Sequence, residues 1–110
     1  MDFVQANGIV LHADWRPVAG RPALVFVNSL GTDFRIWDRV TAHLGRRFSI
    51  LRFDERGHGL SGLGEPPYDL AVMAEDLRAL LDHYGIETAI VCGLSVGGMI
   101  AMTLAAAHPE

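Results

Sequence analysis

Residues 88–99 read TAIVCGLSVGGM, and this stretch decides the fold class. It begins with the apolar run Thr88–Cys92, which predicts a buried β-strand, because continuous apolar runs are typical of strands covered on both faces. The glycine-rich turn Gly93–Gly97 follows, and apolar residues at helical spacing then continue to Ala107, just before Pro109. A strand that leads through a tight turn into a helix indicates an α/β protein.

The same order of strand and helix occurs twice upstream. Continuous apolar runs predict strands at Ala23–Val27 and Phe48–Phe53. Residues 34–44 and 70–84 carry apolar residues at helical spacing, each stretch is followed directly by a glycine, and Asp33 is a suitable N-cap for the first.

A hairpin is predicted at the beginning of the chain. Two strand-like runs, Phe3–Ala6 and Ile9–Trp15, flank the dipeptide Asn7-Gly8. Both residues of an Asn-Gly pair tolerate positive φ, which makes it the strongest short hairpin signal. The sequence therefore predicts one α/β domain over residues 1–110, with an N-terminal hairpin and then three parallel strands alternating with three helices.

Composition narrows the classes of function. The chain has 110 residues, is 50% hydrophobic and carries a net charge of −4, which excludes a disordered tail and argues against a nucleic-acid partner. The single cysteine, Cys92, permits neither an internal disulfide nor a cysteine-rich zinc site. No signal peptide and no apolar stretch of about 18 residues is present, so we expect a cytoplasmic protein without a membrane partner.

The turn Gly93–Gly97 fits the pattern G-x-S-x-G of a nucleophile elbow, in which a serine hydroxyl is exposed on a strained turn between strand and helix. Ser95 is then the candidate nucleophile. Nucleotide-binding motifs fail here, because G-x-G-x-x-G needs glycine in place of Ser95 and a P-loop needs lysine in place of Met99. The structural alternative is a glycine-rich turn without chemistry.

A serine nucleophile needs backbone amides to stabilise an oxyanion. One candidate is the N–H of Val96, which directly follows Ser95 at the start of a helix. The second is expected from the loop Asn28–Gly31, because this loop also follows an apolar strand and can face the same crevice.

Three segments of this chain resemble the α/β-hydrolases: NSLGTD at 28–33, RFDERGHGLS at 52–61 and GLSVGGMI at 93–100. Within that superfamily the chain is most similar to the 3-oxoadipate enol-lactonases, since most other relatives carry His-Gly at the positions of Asn28 and Ser29. The resemblance implies that Ser95 is the nucleophile and that the amides of Leu30 and Val96 form the oxyanion hole. It also implies hydrolysis of a small-molecule ester or lactone, the enol-lactone of aromatic-compound degradation, to give 3-oxoadipate without a metal or organic cofactor.

The chain departs from the family after the nucleophile. The family's acid and base both follow the serine, whereas here only 15 residues follow Ser95, with His108 and Glu110 but no aspartate. His108 lies about 20 Å along the helix, far beyond hydrogen-bond reach. Because the resemblance covers about half of the family's usual length, without the cap and the C-terminal strands, we expect little or no turnover from this chain alone. A truncated, non-catalytic module that pairs with another chain stays open, as do an acyltransferase, a perhydrolase and a carbon–carbon hydrolase.

Several other polar residues have both a functional and a structural interpretation. His58 could replace the missing base, but a turn residue bonded to backbone is favoured. Asp54 and Arg56 are predicted to fix their loop by a local ion pair. The remaining histidines within the predicted elements are expected on solvated surfaces: His12, His43 and His83.

Arg35 and Arg39 are four residues apart, so a helix would place them on one face, where they could attract an anionic lactone or simply be exposed. Trp37 is predicted to pack in the core, and Cys92 is predicted to be buried. In the family's strand order Thr88–Cys92 would be an open edge, which predicts self-association.

Overall fold

Five strands form one mixed sheet, with helices on both faces. The structure is a computed structural model that describes residues 2–29, 31–59, 61–62 and 70–107. The strands are β1 (Asp2–Ala6), β2 (Ile9–Arg16), β3 (Ala23–Val27), β4 (Ser49–Phe53) and β5 (Ile90–Gly93), and the helices are α1 (Asp38–Leu44), α2 (Leu70–His83) and α3 (Val96–Ala107). The strand order is β1-β2-β4-β3-β5.

The predicted hairpin is confirmed. β1 and β2 pair antiparallel with Ala6 opposite Ile9, and the turn residues Asn7 and Gly8 have φ values of 49° and 79°. Positive φ at both positions is what a two-residue hairpin turn requires. β2 also pairs antiparallel with β4, which joins the hairpin to the rest of the sheet.

The three later strands are parallel, as predicted, and β3 lies between β4 and β5. Val25 pairs with Leu51 on one side and with Val91 on the other. The carboxyl ends of the three strands therefore meet at one edge of the sheet. The predicted α/β fold class is confirmed, and β3 and β4 are almost entirely buried.

β5 differs from the prediction in its bounds and its burial. It begins at Ile90 rather than Thr88, because Ile90 pairs with Leu24, the second residue of β3, and no earlier residue has a strand partner. Ile90 is 53% exposed and Cys92 is exposed as well, whereas Val91, on the opposite face of the strand, packs against the main apolar cluster. The prediction that Cys92 is buried was wrong because the second apolar cluster, on the face that carries Ile90 and Cys92, does not extend to β5.

The helices cover both faces of the sheet. Helices α2 and α3 pack on the main apolar cluster, whereas Trp37 and Leu44 lie on a second cluster across the sheet. Asp33 is an N-cap, as predicted, but residues 34–37 form a 3-10 turn before α1 begins. A 3-10 turn places residues three apart on one side, and this buries both Phe34 and Trp37. Within the described ranges no helix is long and apolar enough to cross a membrane.

Candidate functional site

Ser95 occupies a strained turn between β5 and α3. Its φ is 58°, a left-handed conformation that is uncommon for residues with a side chain. The residue is exposed, and its Oγ has no hydrogen-bond partner in the part of the chain that the structure describes. This is the geometry expected of the serine in G-x-S-x-G.

Two glycines allow this turn to pack tightly. A Cβ at Gly97 would lie closer than 3.0 Å to the backbone carbonyl oxygens of Val27 and Asn28, and a Cβ at Gly93 would overlap the backbone of Gly97. Neither position accepts a side chain without a backbone shift. The beginning of α3 is therefore pressed directly against the end of β3.

Backbone hydrogen bonds complete the turn. The Leu94 N–H donates to the Val27 carbonyl at 3.1 Å, and the Gly97 N–H donates to the Leu94 carbonyl at 3.0 Å. Val96 is the first residue of α3, where an N–H has no carbonyl partner within the helix and lies at the positive end of the helix dipole. Its amide can therefore stabilise negative charge beside Ser95. Leu30, the other predicted donor, lies outside the described residues.

Asn28 anchors the loop that follows β3. Its side chain is fully buried, donates from Nδ2 to the Phe53 carbonyl at 2.8 Å and accepts from Trp37 Nε1 at 2.6 Å. Further along, Thr32 Oγ1 donates to the Ser29 carbonyl at 2.6 Å. Trp37 is buried as predicted, and the structure adds that its indole N–H fixes Asn28.

The prediction that His12 is solvated was wrong. His12 is buried, its Nδ1 lies 2.9 Å from Asp54 Oδ2, and its ring stacks between Phe3 and Phe34. Asp54 Oδ1 also accepts from the Phe34 N–H at 2.9 Å. β2, which carries His12, is separated from β5 by two strands, so this pair serves the loop after β4 rather than Ser95.

The predicted ion pair between Asp54 and Arg56 is also wrong, because Arg56 binds a different carboxylate. Its Nε and Nη2 donate to the two oxygens of Asp76 on α2 at 2.7 and 2.8 Å, and both residues are buried. Asn7 Nδ2 donates to Asp76 as well, at 2.8 Å. The loop is thus fixed as expected, but to β2 and to α2.

His58 is a turn residue bonded to the backbone, the structural role that was favoured from the sequence. It is half-buried, and its Nδ1 donates to the Arg56 carbonyl at 3.0 Å. The prediction that His43 and His83 are exposed is confirmed.

Arg35 and Arg39 are both exposed but do not share one α-helix, because Arg35 lies in the 3-10 turn. The Arg35 guanidinium binds Asp33 at 2.8 Å and lowers the pKa of that carboxyl to about 2. Its charge is therefore engaged locally.

Glu55 is the site residue that sequence reasoning did not single out. It lies between Asp54 and Arg56 and is only 2% exposed, and neither carboxyl oxygen accepts a hydrogen bond of normal geometry from the residues that the structure describes. Burial raises the pKa of Glu55 to about 8; the Asn28 backbone N–H lowers it in part, and the Asp54 charge raises it further. The raised pKa favours the protonated, neutral form of this carboxyl at pH 7. No local pattern distinguishes such a glutamate from a solvated loop residue.

Comparison with known proteins identifies the family. The family described as alpha/beta hydrolase fold matches residues 22–110. The chain belongs to this family. A curated relative, 3-oxoadipate enol-lactonase 2 of Acinetobacter baylyi, is 38% identical over 109 residues, which are 99% of this chain and 41% of that protein.

Two solved structures are similar to this chain over almost its whole length. The enol-lactonase from Burkholderia xenovorans LB400 has a TM-score of 0.93 and 37% identity, over 98% of this chain and 42% of its own. Est816, described as an N-acyl homoserine lactone degrading enzyme, has a TM-score of 0.91 and 30% identity, over 99% of this chain and 41% of its own. The chain thus spans about two fifths of the length of these relatives.

The tight contact at Gly97 predicts opposite effects of an alanine substitution at two adjacent glycines, Gly97 and Gly98. Gly97→Ala should destabilise the fold by about 2–3 kcal/mol, because its methyl group meets backbone oxygens that cannot move freely. Gly98→Ala is the matched control, since its Cβ would lie 3.6 Å from the Gly93 carbonyl oxygen, an ordinary contact. Alanine also favours a helix over glycine by about 1 kcal/mol. Urea unfolding followed by circular dichroism measures both, and equal stabilities would contradict the packing described.

Because the Glu55 carboxyl is buried, we expect Glu55→Gln to change the free energy of unfolding by an amount that depends on pH. The folded pKa of Glu55, about 8, exceeds its ordinary value of 4.5, so the folded state retains a proton that the unfolded state releases. The contribution of Glu55 is therefore complete below pH 4.5 and is lost as the pH rises toward 8. Relative to the variant, wild type should lose up to about 1.4 kcal/mol per pH unit in this window. Urea unfolding at pH 5, 6.5 and 8 tests this, and a constant difference would contradict it.

Proposed function

We propose that this chain carries the nucleophile of a serine hydrolase acting on carboxylic esters or lactones. Ser95 Oγ attacks the substrate carbonyl carbon, its proton passes to a base, and the carbonyl oxygen becomes an oxyanion held by the amides of Val96 and Leu30. The oxyanion then collapses, the bond from the carbonyl carbon to the ester oxygen breaks, and that oxygen takes the proton back from the base. The resulting acyl-enzyme is hydrolysed by water. The observation that carries the proposal is the positive φ of Ser95 in a turn closed by two glycines.

The proposed substrate is an enol-lactone of the 3-oxoadipate type. Support comes from the two similar enol-lactonases and from Est816, all of which are described as acting on lactones. Opening of a lactone leaves the departing oxygen attached to the acyl group, so the acyl-enzyme retains the whole substrate until water releases it. A cytoplasmic location and the lack of a cofactor stay predictions from sequence.

The proposed mechanism needs a base that accepts the Ser95 proton, and no residue of the chain is assigned to it. No aspartate follows Ser95 in the sequence, and His58 Nδ1 is already engaged with the Arg56 carbonyl. We therefore expect the 110 residues to provide a nucleophile and oxyanion amides, with no efficient proton acceptor. An oxyanion hole alone still gives roughly 10³-fold acceleration over water in serine hydrolases.

Labelling with a fluorophosphonate tests the role of Ser95. Wild type should take up one phosphonyl group slowly, and added imidazole should accelerate the reaction because it replaces the missing base. Ser95→Ala should take up none. Thr103→Ala is the matched control, since it removes a hydroxyl from α3 and leaves Ser95 in place, and it should label as wild type does. Intact-mass spectrometry measures each reaction.

Equal labelling of wild type and Ser95→Ala, or no labelling of wild type with imidazole, would contradict the proposal. In the second case a non-catalytic module is the better interpretation. If labelling succeeds, a panel of enol-lactone, thioester and β-diketone substrates, each supplied with imidazole, separates a lactonase from an acyltransferase or a carbon–carbon hydrolase.

We also propose that the open edge of β5 pairs with a second copy of the chain. Its backbone groups on the side away from β3 have no strand partner among the described residues, and Ile90 beside them is 53% exposed. The edges of two copies are self-complementary when the strands run antiparallel.

Size-exclusion chromatography over a range of concentrations tests this pairing. Wild type should elute as a concentration-dependent dimer and Ile90→Lys as a monomer, because a lysine opposes edge pairing. Val40→Lys replaces an exposed apolar residue of α1 and is the control that should still dimerise. A wild-type monomer at all concentrations would contradict the proposal.

A further inference from the structure

Glu55 is buried at the edge of the sheet where β3, β4 and β5 end, and among the described residues its carboxyl has no hydrogen-bond partner of normal geometry. Its neighbours on both sides are fixed, Asp54 by His12 and the Phe34 N–H, and Arg56 by Asp76. The chain on both sides of Glu55 is therefore held in place. A buried carboxyl without a hydrogen bond of normal geometry costs stability.

Two groups act on the Glu55 carboxyl. Asp54, from its own loop, contributes negative charge, and the backbone N–H of Asn28 approaches from the end of β3. That N–H favours the ionised form of Glu55, although the contact falls short of a hydrogen bond of normal geometry. The Asn28 side chain is held by Phe53 and Trp37, so this donor is fixed in place.

The Asn28 N–H belongs to the peptide unit that also carries the Val27 carbonyl. That carbonyl accepts the Leu94 N–H at 3.1 Å, and Leu94 directly precedes Ser95. Gly97 packs against the same carbonyl from the other side of the turn. One rigid peptide unit thus has Glu55 at its donor end and the strained turn at its acceptor end.

We propose that Glu55 is a positioning residue for Ser95, acting through the peptide unit that joins Val27 to Asn28. A negative carboxylate at the N–H end polarises the peptide and strengthens the hydrogen bond that its carbonyl accepts from Leu94, as in chains of hydrogen bonds generally. A neutral Glu55 leaves that bond weaker. The protonation state of Glu55 therefore sets the strength of the hydrogen bond between Leu94 and Val27, directly before Ser95. Any effect on catalysis rests on the proposed role of Ser95 as the nucleophile.

Nuclear magnetic resonance of the whole 110-residue chain tests the coupling without any activity. In a pH series from 5 to 9.5, the amide signals of Asn28 and Leu94 should shift together, with one midpoint near 8. The carboxyl carbon of Glu55, in chain labelled with ¹³C-glutamate, should report the same midpoint. In Glu55→Gln both amide shifts should disappear, whereas in Glu75→Gln, a control on α2, they should remain.

Each possible result either supports or overturns the proposed coupling between Glu55 and Leu94. An Asn28 signal that titrates without Leu94, or shifts that persist in Glu55→Gln, would overturn the coupling. A Glu55 carboxyl carbon that titrates near pH 4.5 in wild type would also overturn the coupling. This measurement uses wild type alone, so it does not depend on whether Glu55→Gln folds. The pH profile of fluorophosphonate labelling adds the functional readout, with an inflection near pH 8 in wild type that Glu55→Gln lacks. If the amides titrate together and Ser95 never labels, the coupling stands and the proposed function fails.

Discussion

The contact between Gly97 and the last carbonyl groups of β3 is the constraint on which the site depends. It brings the beginning of α3 so close to the sheet that the chain must turn sharply between Gly93 and Val96, and Ser95 absorbs the turn with a positive φ. Such a conformation costs about 1–3 kcal/mol and persists only where its surroundings determine it. Here Ile100 and Leu104 of the same helix are buried in the main core and supply the opposing stabilisation.

A second set of contacts fixes the neighbouring loop by buried charge. Asp54 with His12, and Arg56 with Asp76, attach residues 54–62 to β2 and α2. Buried pairs of this kind add little net stability, because desolvation offsets their attraction, but breaking one leaves a buried group unpaired and is costly. Their effect is to select one conformation of the loop. Glu55 is buried because it lies between two residues that are held in this way.

The features that could be predicted from sequence are those set by local geometry. Asn7-Gly8 specifies its turn through φ alone, the apolar run Ala23–Val27 has the same bounds in the structure, and the spacing of Gly93, Ser95 and Gly97 specifies the elbow. The mistaken predictions concern partners that are distant in sequence. His12 and Asp54 are 42 residues apart, and Arg56 and Asp76 are 20 apart, so no local pattern pairs them.

The exposure of β5 was mispredicted for a related reason. An apolar run indicates that a strand has the composition of a buried strand, whereas actual burial depends on what packs against each face, and here the second apolar cluster does not reach β5. The burial of Glu55 is of the same kind, since loops are on average polar and exposed.

The geometry of Ser95 and the supply of a base are separate physical problems in this fold. The contacts that hold the serine in its strained turn come from β3, β5 and α3, all within the 110 residues. A proton acceptor adds nothing to those contacts, because the Ser95 hydroxyl is exposed and its Oγ is free of hydrogen bonds to the described residues. A base placed beside Ser95 therefore meets a nucleophile that is already oriented. Orientation is achieved by packing, and only the removal of the proton is left to the base.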